Sequence, residues 1–158
     1  MQKILKYIAI LALLAFVVMQ FIRPDKNSDG YETVIAFEKE TKPSIQLAAV
    51  LKENCYDCHS GQTRYPWYSE IAPVSYWLSD HIKNGQKHFN VSEWEGYSVK
   101  KKEHKLEELI EMVEVGTMPL DSYTWIHGKL DVNDKELMLQ WAKMVRLQYV
   151  KELETAAN

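Results

Sequence analysis

Cys55-Tyr56-Asp57-Cys58-His59 is the stretch from which the rest of the chain takes its sense. Two cysteines three positions apart are spaced to form thioether bonds to the two vinyl groups of one porphyrin, and the adjacent histidine then lies under the iron as an axial ligand. They are the only cysteines in the chain, so no thiol remains for a disulfide framework or a four-cysteine zinc site. A redox dithiol of thioredoxin type wants its Cys-x-x-Cys to open a helix after a strand; here the motif follows a helical stretch and no βαβ alternation is visible. Zinc would need two further ligands from His81, His88, His104 and His127, which show no paired spacing. Two unrelated thiols beside a histidine are the remaining alternative. One covalently held haem c is the cofactor the motif predicts.

Toward the N-terminus, residues 4–22 are apolar or aromatic except for Lys6 and Gln20. Nineteen residues at the helical rise span roughly 28 Å, close to the hydrocarbon thickness of a bilayer. Ala9, Ala12 and Ala15 do not give the spacing of a signal-peptidase site, and the apolar run continues past them, so an uncleaved signal anchor over 1–22 is expected. Lys3 and Lys6 against Arg23 and Lys26 give a thin positive-inside signal. Covalent haem attachment in bacteria is completed outside the cytoplasmic membrane. The expected location is therefore the inner membrane, with a single pass and the remaining chain on the periplasmic side. That remainder has room for one domain and carries 17 Lys and Arg against 22 Asp and Glu, a mild acidity that argues against nucleic acid as a partner.

Residues 23–42 read as a linker. Arg23 to Gly30 is a polar tether, whereas Tyr31, Val34, Ile35 and Phe37 either lay an apolar strip along the domain or extend the tether. Ser44 is placed to cap a helix through Ile45, Leu47, Ala48, Val50 and Leu51 that stops near Asn54 and brings Cys55 to the haem edge. Pro73 opens a second helix that Gly85 would end, with Trp77, Leu78, His81 and Ile82 on one face; His81 reads as a packed histidine sooner than a ligand. Ser92-x-x-Glu95 suggests a capped turn around Trp94. An amphipathic helix through Leu106, Leu109, Ile110 and Val113 is expected to begin after Lys100, Lys101 and Lys102, whose charges oppose the helix dipole. Gly116 would stop it. Pro119 then keeps Met118 out of helical geometry, the fixed extended backbone from which a thioether sulfur can reach iron. His127, in an expected loop, competes for the same sixth position. Asn133-x-x-Glu136 marks the start of a closing helix to about Leu153, with 154–158 as a tail.

The order of these parts resembles small monohaem cytochromes c. More closely, it is similar to the bacterial haem-binding domain family of membrane-anchored, single-domain proteins. The resembling residues are Cys55 to Ser60, Thr63, Tyr65-Pro66-Trp67-Tyr68-Ser69, Ala72-Pro73-Val74, His81, Gly85, Asn90-Val91-Ser92-Glu93-Trp94, Gly116-Thr117-Met118-Pro119-Leu120, Tyr123 and His127. The resemblance implies an all-α, cytochrome c-like domain over 43–153 around one haem, the last helix crossing the one before Cys55. It also implies a proline carbonyl, with Pro66 as the matching candidate, that accepts the His59 ring N–H. Arg64, Tyr65, Trp67 and Tyr68 either bond haem propionates or are ordinary amphipathic surface side chains. His59 with Met118 would close both axial positions, which suits a single-electron carrier that serves membrane or periplasmic redox proteins and is not an enzyme. An open or labile sixth position would instead suit a redox or gas sensor or a peroxidase-like enzyme. A third class is an accessory module docked to a respiratory complex.

Overall fold

The computed structural model describes residues 1–157, and among them it contains helices and no strand. Helix α1 (Gln2–Met19) is exposed along its length and is the one described helix long and apolar enough to cross a membrane. It ends three residues before the expected limit, so Phe21 and Ile22 lie in a turn beyond it.

The linker reading of 23–42 is corrected. Asp29 N–H donates to the Gly61 carbonyl (2.7 Å), Thr63 N–H to the Asn27 carbonyl (3.1 Å), and Asn27 Nδ2 to the Ser60 carbonyl (2.8 Å). Residues 27–30 are thus fastened to the loop that follows His59. After a 3-10 turn at Tyr31–Val34, helix α2 (Ile35–Thr41) buries Phe37 completely. Its ring meets Trp94 at 5.0 Å, Trp141 at 5.9 Å and Phe89 at 6.3 Å between centroids, all edge-to-face. A polar stretch with one apolar strip looks like a tether in sequence because its partners are distant: those of residues 27–29 lie 32 to 36 positions away and those of Phe37 52 to 104. Phe37→Ala is expected to cost about 3–5 kcal/mol, as large-to-small changes in a packed aromatic core do, and urea unfolding of the full chain in detergent measures it.

Helix α3 (Ile45–Asn54) forms as its sequence demands: the Ser44 hydroxyl accepts from Leu47 N–H (3.2 Å), and Leu47, Val50 and Leu51 are buried. One helical turn, α4 (Tyr56–His59), carries the motif. A 3-10 turn at Trp67–Glu70 leads to α5 (Val74–His88). Pro73 precedes this helix, and Gly85 lies inside it instead of ending it. The turn at Val91–Gly96 is capped by Asn90, whose side-chain oxygen accepts from Ser92 N–H (3.1 Å). The expected Ser92 cap gives way because the Ser92 hydroxyl accepts from Gly61 N–H (2.7 Å).

Helix α6 (Val99–Val115) takes the three lysines into its first turn, contrary to expectation. The Ser98 hydroxyl caps it, accepting from Lys101 N–H (3.3 Å), Lys102 pairs with Glu40 at 2.8 Å, and Lys101 sits 3.6 Å over the Tyr97 ring. Together these contacts offset a dipole penalty of about 0.3–1 kcal/mol. Gly116, at φ 83°, stops the helix as expected. Helix α7 (Asp121–His127) replaces the loop expected around His127. Helix α8 (Val132–Ala157) begins beside Asp131, whose carboxylate accepts from Asn133 N–H (2.8 Å), and it runs through most of the expected tail; Asn158 lies outside the described residues. Its buried face (Met138, Trp141, Ala142, Val145, Tyr149) shares one apolar core with Leu106, Ile110 and Val113 of α6 and with Leu47, Val50 and Leu51 of α3. The closing helix therefore meets the helix before the motif, which leaves α4 to be seated from its other side by α5.

Candidate haem site

Helix α3 hands directly into the motif. Cys55 N–H donates to the Leu51 carbonyl (2.8 Å), and the Cys55 carbonyl in turn accepts from Cys58 N–H (3.2 Å) and His59 N–H (3.0 Å). Both thiols and the imidazole are therefore carried on one short turn. Helix α5 crosses this turn closely, and Gly85 makes that approach feasible: a Cβ there would lie 2.5 Å from the Cys58 carbonyl oxygen and 3.1 Å from the Cys58 Cβ. A glycine read as a helix terminator is in fact a contact point.

The crossing fixes His59. Its Nδ1 lies 2.8 Å from the Phe89 carbonyl oxygen and 3.1 Å from that of Gly85. Carbonyls only accept, so Nδ1 carries the ring proton and Nε2 keeps its lone pair for a metal. Burial pushes the His59 pKa below its ordinary value, against the opposing effect of the two carbonyls, which favours the neutral imidazole that ligation requires. Pro66 does not supply the carbonyl: its oxygen accepts from Ser69 N–H (3.0 Å) and Oγ (2.6 Å). The thiols are both free. Burial, reinforced by the charges of neighbouring groups, pushes Cys55 up to about 12 and Cys58 up to about 11. Thiols held protonated in this way are the opposite of the low-pKa nucleophile a redox dithiol uses.

Beside Cys58 opens a cavity whose walls are mainly apolar and aromatic. Thr63, Pro66, Tyr68, Trp77, Leu78, His81, Leu120, Tyr123, Ile126 and His127 line it, with Asp57, Arg64 and Ser122 as its other polar members. Of the candidate site residues of the sequence, Cys58, Arg64, Pro66, Tyr68, His81 and His127 line it, whereas Cys55 and His59 do not. Trp67 does not: it is 77% exposed, edge-on to Tyr68 at 5.9 Å. Met118 packs against the apolar core, two residues before the cavity-lining Leu120. His127 Nε2 lies 3.2 Å from the Tyr68 hydroxyl, and its ring stacks on Tyr123 at 4.2 Å. His81 Nδ1 lies 2.8 Å from the Trp77 carbonyl, so Nδ1 is a donor there.

Asp57 is the residue the sequence reading passed over. It is a buried carboxylate inside the motif, and it accepts from Arg64 N–H (2.9 Å), Nε (3.1 Å) and a terminal guanidinium nitrogen (2.9 Å), and from the Tyr123 hydroxyl (3.2 Å). Arg64 is thereby occupied by Asp57 and by Glu53 (2.8 Å). Tyr123 also donates to the Glu53 carbonyl (2.6 Å), so α7 is tied to the motif turn. Asp57→Ala is expected to destabilise by about 1–3 kcal/mol, short of a fully buried pair because Arg64 is 36% exposed. Denaturant unfolding with and without the substitution reads this difference.

A helical domain with two free thiols and a carbonyl-locked histidine on one turn, beside an apolar aromatic cavity, has the donor set and surroundings of a haem site. A family model described as a haem-binding domain matches residues 14–144, and the chain belongs to that family. No curated protein and no solved structure gives a significant match. The chain is thus a haem-binding protein, and the donor set fits the group: Cys55 and Cys58 would hold it, and His59, with Nε2 unprotonated, could serve as a ligand to its iron.

Proposed function

We propose that the chain is a c-type cytochrome, tethered by α1 to the cytoplasmic membrane with its domain on the periplasmic side, that passes single electrons between membrane or periplasmic redox proteins. The observation that carries this reading is the pair of carbonyls on His59 Nδ1, which fixes tautomer and ring orientation on the same turn as two free thiols. The bound haem supplies a one-electron iron centre. What the chain supplies is ligation, burial and a fixed geometry: the end of α5 and Phe89 just beyond it orient His59, and aromatic side chains line the cavity beside Cys58.

Met118 is the thioether this reading assigns to the second axial position, from a non-helical segment between Gly116 and α7 that leads directly into the cavity wall at Leu120. Met118→Ala is expected to retain covalent haem while converting a carbon monoxide-indifferent iron into one that binds it. An unchanged ligand-field spectrum in this variant would remove Met118 from the role.

A specific observation favours a second reading. His81 and His127 line the cavity in this structure whereas Met118 rests on the core, an arrangement suited to a sensor or peroxidase-like protein with an open or exchangeable sixth position. Carbon monoxide binding by the unsubstituted protein selects this alternative.

A further inference from the structure

The polypeptide does not hang freely from α1. The Gln20 side chain pairs with both backbone groups of Ala72, Oε1 accepting from its N–H at 3.0 Å and Nε2 donating to its carbonyl at 3.3 Å. The Tyr76 hydroxyl donates to the carbonyls of Ile22 and, at 3.3 Å, Met19. Arg23 and Lys26 both close on Glu70, at 2.6 and 2.5 Å. Residues 70–76 are therefore clamped to the last turn of the apolar helix and the seven residues after it, which is where a spanning α1 would leave the bilayer.

The segment held there is unusually greasy for a water-facing surface. Trp67 is 77% exposed, Ile71 40% and Trp77 47%, beside Phe21 at 83% and Ile22 at 60%. Exposed apolar side chains on a segment clamped to the exit of an apolar helix are candidates for a docking surface. Tryptophan is the side chain enriched where hydrocarbon meets headgroups, and Arg23 and Lys26, sharing the single carboxylate of Glu70, leave one net positive charge suited to phosphate at the same level.

We propose that the surface formed by Trp67, Ile71 and Trp77 is seated in the headgroup and upper acyl region of the bilayer, so that the domain has one fixed orientation on the membrane. The proposal rests on the reading of α1 as a membrane span. Phospholipid is its occupant because the surface continues from the helix that lipid already surrounds. Trp77 also lines the cavity beside Cys58, so this seating places one edge of the haem cavity against the lipid surface.

The test uses the full haem-loaded chain in phosphatidylcholine vesicles containing a phospholipid with a diazirine at the glycerol end of its acyl chain. After illumination and tryptic digestion, three peptides are compared: 7–26 from the anchor, 65–83 from the proposed surface, and 40–52, which carries the 94% exposed Ile45 and lies outside the clamp on residues 19–26. Labelling of 65–83 several-fold above 40–52, together with labelling of 7–26, is the expected result. Labelling of 7–26 with 65–83 no higher than 40–52 overturns the seating and leaves the anchor standing. No labelling of 7–26 overturns the anchor itself. In the double variant Gln20→Ala with Tyr76→Phe, labelling of 65–83 should fall toward that of 40–52 while 7–26 is unaffected. Unchanged labelling of 65–83 there would overturn the clamp as what seats the surface.

Discussion

Gly85→Ala is expected to strip the protein of most of its haem and to destabilise the domain by about 3 kcal/mol, the upper end for overpacking. The added methyl would meet the Cys58 carbonyl at 2.5 Å, and both sides of that contact are backbone, so no side chain can rotate away. Separation of α4 from α5 would then pull the Gly85 carbonyl from His59 Nδ1 and disturb the position of Cys58 at once. Gly96→Ala is the matched control, since nothing lies within 4 Å of a Cβ built there. It should be neutral or stabilise by up to about 1 kcal/mol through the unfolded chain. Holoprotein yield and denaturant midpoint, measured on both variants, decide the matter: equal behaviour of the two would show that the α4–α5 crossing does not hold the site.

His59→Ala should lower holoprotein yield by more than about tenfold, since loss of an outer partner of a metal-bound histidine alone costs about that much. The variant keeps both thiols and their turn, so any haem that does attach is expected to be high-spin and to take up exogenous imidazole. Normal yield with an unchanged low-spin spectrum would exclude His59 as an axial ligand. Cys55→Ser with Cys58→Ser is the natural companion, because it removes the covalent link while leaving the imidazole in place.

The parts of the site written in consecutive residues are legible in the amino-acid sequence itself. The two cysteines with their histidine, the Ser44 cap on α3 and the glycine stop at Gly116 all depend on neighbours within a few positions. What the sequence hides depends on distant partners. The carbonyls that orient His59 come from 26 and 30 residues downstream, and no local pattern announces them, so a nearby proline is the natural but incorrect candidate. Gly85 carries the sequence mark of a helix end, and only the close crossing of α4 explains it. The segment 27–30 is too polar to suggest burial, yet it is held by backbone hydrogen bonds to residues 60–63, which composition does not report. The early start of α6 shows a weak dipole rule outweighed by a serine cap and by lysines that find Glu40 and Tyr97. Asp57 needs a partner because it is buried, which its position in the motif does not announce, and Arg64 seven residues on supplies it.

The central claim is that Cys55, Cys58 and His59 hold one haem covalently. Its most direct test is the optical spectrum of the full chain, exported with cytochrome c maturation machinery, before and after reduction and after extraction with acidified acetone. The account predicts a reduced c-type spectrum in which the haem stays with the polypeptide through extraction. A chain without haem, or with haem that passes wholly into the acetone, would contradict it.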